Sequence, residues 1–129
     1  MTERELLQRT KQFALRIFKL VGALPQTIQG RAVAAQLIRS GMSVAANYRA
    51  ACRARSKPGS VAKLGVVEEE ADESAFWLEL IMETNLLSAT KVEPLLSEAS
   101  EIVAIMASSK KTAAKSQIAI ANRQCNEDL

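Results

Sequence analysis

Between Arg39 and Ser56 the sequence reads RSGMSVAANYRAACRARS, with four arginines and no carboxylate. Arginine presents a planar fork of donors that fits phosphate or carboxylate bidentately. The run therefore offers a phosphate-binding stripe, an ion-pairing face, or only the wet flank of a helix. A second concentration of charge follows at Glu68-Glu69-Glu70-Ala71-Asp72-Glu73. Carboxylates can share protons or hold a divalent cation, but on a helix these residues spread around most of the circumference and cannot converge on one ion. They read as a solvated or ion-paired face. There is no histidine, which removes the commonest general base, the usual partner of a nucleophilic serine or cysteine, and the commonest transition-metal ligand. Cys52 and Cys125 are far apart and lack CxxC spacing, so they read as structural thiols and not as a zinc site or disulfide framework. No glycine-rich phosphate loop is present. The chemistry left to the chain is recognition by charge: no enzymatic activity, no cofactor and no metal are expected.

These residues must be positioned by helices. The chain has 129 residues, 48% of them apolar and only 4% aromatic, which fits one domain with an aliphatic core. From Glu5 to Leu24 the positions Leu6, Phe13, Ala14, Ile17, Leu20, Val21 and Leu24 share one arc at 100° per residue, with Arg9, Gln12, Arg16 and Lys19 opposite. Pro25 ends that helix. A second runs from about Gln29 to Ser56, with Val33, Leu37, Gly41, Val44, Tyr48 and Cys52 on one face. Gly41 lies inside the apolar face, where a mid-helix glycine costs about 1 kcal/mol against alanine, and so marks a close helix crossing. Ser56 is placed to cap a third helix over about 58–87, with Pro58 in its first turn. Thr90-Lys91-Val92-Glu93 has capping-box spacing for a fourth, in which Pro94 would fall in the first turn. The periodicity weakens after Lys110. The expectation is an all-α, up-down-up-down antiparallel four-helix bundle over 1–110, followed by a polar, poorly ordered tail over 111–129. No segment is apolar enough to span a membrane, and the N-terminus lacks the pattern of a secretory signal, so a cytoplasmic location is expected.

Charge is segregated along the chain. Residues 6–67 hold eleven lysines and arginines and no acid, whereas residues 68–101 hold ten acids and one base. Helical stepping puts Arg31, Arg39, Arg49 and Arg53 within roughly an 80° stripe. With Arg55, Lys57 and Lys63 they are the candidate nucleic-acid-binding residues. The competing reading pairs them with the acids of the third helix, within or between subunits. Phe76, Trp77 and Leu80 fall outside the core arc of that helix and form an apolar patch, the candidate oligomer interface.

Three segments taken together, QFALRIFKLVGALPQT, QLIRSGMSVAANYRAACRARS and AKLGVVEEEADESAFWLEL, resemble the four-helix-bundle family that includes proteins encoded in intervening sequences of bacterial 23S ribosomal RNA genes. The likeness covers about residues 9–108. It places Arg39, Ser40, Gly41, Ser43, Asn47, Tyr48, Arg49, Arg53, Glu70, Glu73, Trp77 and Glu79 in the family pattern without giving any of them a role. Pro58-Gly59-Ser60 departs from that pattern, where an acidic and aromatic pair is more usual. The resemblance implies a ring-shaped homopentamer. At the level of fold alone the family is similar to the accessory variability determinant of diversity-generating retroelements, a basic pentamer that binds nucleic acid and a reverse transcriptase. By that analogy the expected partners are a second copy of the chain, RNA or DNA, and a nucleic-acid-processing protein; the alternative is a structural or protein-binding adaptor.

Overall fold

In the computed structural model the backbone is described over residues 1–127 and the side chains over residues 1–115. Four helices and no strands occur among the described residues: α1 (Glu3–Val21), α2 (Ile28–Cys52), α3 (Lys57–Glu83) and α4 (Ala89–Glu127). The side chains of the expected tail beyond Lys115, Cys125 included, lie outside the described residues. α4 itself continues to Glu127, past the loss of periodicity at Lys110.

Side-chain caps set three of the four starts. Thr2 accepts from the Glu5 amide while Glu5 returns a bond to the Thr2 amide, so α1 opens with a capping box. Thr27 accepts from the Gly30 amide at 3.0 Å and Ser56 from the Gly59 amide at 3.1 Å. The departure at Pro58 therefore leaves the start of α3 intact. α4 begins earlier than the Thr90-to-Glu93 spacing implies, at Ala89, and the Ser88 carbonyl accepts from the Lys91 amide at 3.0 Å. Pro94 consequently lies beyond the first turn and removes one bond of the helical ladder. Asn85, with φ 56°, reverses the chain between α3 and α4, a left-handed conformation that asparagine tolerates.

Each helix packs on its neighbour in sequence, and α1 meets α4 along the narrowest seam. The centre is aliphatic but for one ring: Ile17, Leu37, Leu78, Ile81, Ile102 and Met106 are fully buried together with Phe13. Where α2 crosses α3, the hydroxyls of Ser40 and Ser74 lie 2.8 Å apart, and Ser74 donates to the Glu70 carbonyl at 2.9 Å, so both buried groups are satisfied. Where α2 crosses α1, Gly41 rests against Ile17, and a Cβ there would stand 2.8 Å from Ile17 Cγ2. The mid-helix glycine is a crossing point, as its place in the apolar face implies. Gly65 differs, since a Cβ added there would meet only Lys110 Cδ at 3.9 Å. Gly41→Ala should therefore lower stability by about 1–2 kcal/mol, overpacking outweighing the helix gain. Gly65→Ala should raise it by up to about 1 kcal/mol. Thermal melts of the two variants check the opposite signs.

Candidate nucleic-acid interface

The seven candidate cations fall into three places. Arg39 turns toward α3, where Nη1 meets Glu70 Oε2 at 3.1 Å and Nη2 pairs with Glu73. Arg31 stands in the first turn of α2, at the far end of the bundle, exposed. The other five gather where α2 ends and α3 begins: Arg49, Arg53, Arg55, Lys57 and, somewhat farther along α3, Lys63, all exposed. Among the described residues none of these five enters an ion pair.

The same end holds a cleft of about 410 Å³, lined by Glu3 from α1, Tyr48 and Cys52 from α2, Arg55 and Lys57 at the turn, Ser60 from α3 and Ser109 from α4. Antiparallel packing thus adds cations that the stripe omits. Arg4 follows Glu3 at this end, and α4 carries Lys110, Lys111 and Lys115 past it. Lys110 is partly neutralised, with Nζ 3.0 Å from Glu68 Oε2. The result is a basic end, set against acids distributed along the outer side of α3.

The family described as 23S rRNA-intervening sequence protein matches residues 2–108 of the chain. The chain belongs to this family. A solved structure is similar over nearly all of its own length: a protein with unknown function from the S23 ribosomal protein family of Bacteroides thetaiotaomicron, 30% identical, with a TM-score of 0.79 over 86% of this chain and 99% of that one. No curated protein matches.

In this member of the 23S rRNA-intervening sequence family the apolar candidates separate as the cations do. Phe76 is 53% exposed. Trp77 and Leu80 are half-buried against the subunit's own core. Trp77 Nε1 donates to Glu73 Oε2 at 3.1 Å, so Arg39, Glu73 and Trp77 form one α2–α3 tie. Trp77 and Leu80 also line a groove of about 870 Å³ with Pro25, Val33 and Leu86. Exposed Leu15, Phe18 and Met42 on α1 and α2 are further apolar positions, outside the core arcs of their helices. Their signal was the Leu15 and Phe18 pair, spaced i to i+3 on the flank away from the core.

Burial raises the Cys52 thiol above its ordinary range, against the lowering effect of Tyr48. A thiolate nucleophile needs the reverse shift. Burial likewise raises the Tyr48 phenol. Among the described residues no group of three or more Cys, Asp or Glu side chains could hold a metal ion, and no helix is long and apolar enough to cross a membrane.

Across the narrow α1–α4 seam, Arg9 grips Glu98 with two bonds, Nε to Oε2 at 2.8 Å and Nη2 to Oε1 at 2.6 Å, and reaches Glu101 at 2.8 Å. Hydrogen bonding from Arg9 holds the Glu98 carboxyl below the usual carboxylate range, against the raising effect of burial. A folded-state value below the unfolded one gives stability that is present above about pH 4.3 and is lost as the pH falls through the lowered value. Glu98→Gln should therefore be less stable at neutral pH and lose less of its melting temperature between about pH 5 and pH 3 than the parent. Parallel pH-dependent melts check this.

Proposed function

We propose that the chain is a non-enzymatic cytoplasmic bundle that assembles with copies of itself, as a ring-shaped homopentamer, and binds RNA or DNA through the sugar-phosphate backbone at its basic end. The observation that carries this reading is the gathering of Arg49, Arg53, Arg55 and Lys57, exposed and without carboxylate partners among the described residues, around one turn. Such cations position a phosphate backbone but read no bases, and among the described residues no exposed aromatic stands beside them for stacking. Affinity would come from repetition of the basic end around the ring, each contact raising the effective concentration of the next. A nucleic-acid-processing protein fits as a further partner of such a platform. The second reading, an adaptor whose charges are satisfied by its own acids, is favoured by one residue, Arg39, already held by Glu70 and Glu73.

Fluorescence anisotropy of a labelled structured RNA and a labelled duplex DNA, at two salt concentrations, decides between them. With about four phosphate contacts the affinity should fall on the order of 100-fold between 50 and 200 mM salt. Absence of binding at the lower salt would leave the adaptor reading.

A further inference from the structure

Phe76 is an exposed aromatic held in place. Its ring meets Trp77 edge-on, with centroids 4.9 Å apart and planes at 71°, and Trp77 is anchored in turn by Glu73. Around Phe76 on the outer face of α3 stand Asp72 four residues before it, Glu79 three after, and Glu69 and Glu83 seven to either side. All four carboxylates are exposed, and none is in an ion pair among the described residues. Like charges at these spacings repel along a helix, so the face is stabilised by whatever brings cations to it.

A different side of the molecule has the complementary shape and charge. Between α1 and α2 runs a groove of about 350 Å³, lined by Leu7, Ala14, Met42, Ala45 and Ala46 and flanked by Lys11 and Arg49. The alanines leave room for a ring. Exposed Leu15 and Phe18 follow Lys11 and Ala14 by one turn of α1. Neither Lys11 nor Arg49 has a carboxylate partner among the described residues.

We infer that Phe76 of one copy seats in the α1–α2 groove of the next, where Lys11 and Arg49 meet the carboxylates around it. This rests on the self-assembly in the proposed function and specifies its geometry. The two faces belong to different sides of one chain, so the contact is head-to-tail: each copy offers a knob to one neighbour and a groove to the other. A contact of this type closes into a ring when its rotation permits and continues as a filament when it does not. Arg49 is then shared between the interface and the border of the basic end, while Arg53, Arg55 and Lys57 stay free for phosphate.

The test is a mixing experiment read by analytical ultracentrifugation, at a concentration where the parent protein is fully assembled. Phe76→Asp removes the knob and Met42→Glu fills the groove with the wrong charge. Each variant alone should sediment as a single chain of 14.0 kDa. An equimolar mixture should give a dimer and nothing larger, because one intact knob meets one intact groove and both remaining faces are spoiled. An assembly of parental size from either variant alone, or a mixture without dimer, overturns the inference. Circular dichroism confirms folding, and Phe76→Gln with Met42→Gln provides a milder pair should either charge prevent it. A monomeric parent protein would overturn the self-assembly reading itself, whereas an assembled parent with unaffected variants would overturn only this choice of faces.

Discussion

Gly30→Ala is expected to lower the stability of the bundle by about 3 kcal/mol, the upper end of overpacking costs. In a chain of this size that is a fall in melting temperature on the order of 10 °C. Gly30 is buried in the first turn of α2, beneath the loop that leaves α1. A Cβ at this position would stand 2.0 Å from the Pro25 carbonyl oxygen and 3.0 Å from its carbon. The obstacle is backbone, which a change of rotamer cannot move aside. The loop must shift, and with it Thr27, whose side chain accepts from the Gly30 amide and caps the helix. The same substitution at an open helical site would be stabilising, so a melting temperature equal to the parent's would show that the loop is not held as described.

Reversing Arg53 and Arg55 together to glutamate should weaken binding to nucleic acid by at least on the order of 100-fold, since each charge-assisted bond contributes about 1.5–3 kcal/mol. The salt dependence should flatten as well, the slope falling by about two because two phosphate contacts are lost. Both residues are exposed and neither enters an ion pair among the described residues, so helicity and melting temperature should hold. Arg31→Glu is the matching control. It has the same charge and exposure but lies in the first turn of α2, away from the basic end, and should leave affinity unchanged. Equal losses from both variants would indicate a field spread over the whole surface in place of a local site.

The helices were legible because apolar spacing and capping residues agree: Thr27 and Ser56 mark starts, Pro25 marks an end, and the core residues follow a period near 3.6. Gly41 was legible for the same reason, its angle placing it among buried positions. Angles about one helix say nothing of which neighbour a side chain meets. Arg39 and Arg53 fall in the same stripe on the wheel, yet α3 lies against one edge of α2 and supplies Glu70 and Glu73 to Arg39 alone. Trp77 lies outside the core arc of α3, but α2 leans across that flank and half-buries it. Arg9 stood among the exposed cations of the first helix until α4 brought Glu98 and Glu101 beside it. The basic end combines residues from all four helices and needs their antiparallel order before it can be seen. At the start of α4 the Thr90-to-Glu93 spacing points two residues past the observed first residue, Ala89.

The two arginine ties also differ in how much chain they enclose. Arg39 reaches its carboxylates across 31 and 34 residues, within two consecutive helices. Arg9 reaches Glu98 and Glu101 across 89 and 92 residues. Closing the longer loop costs about 1 kcal/mol more in chain entropy than closing the shorter one. Three of the four seams join helices adjacent in sequence and can form as each hairpin is completed. The α1–α4 seam alone requires nearly the whole domain, and it is the narrowest of the four. The α1–α4 seam is therefore the one expected to close last and open first, with Arg9 as its latch.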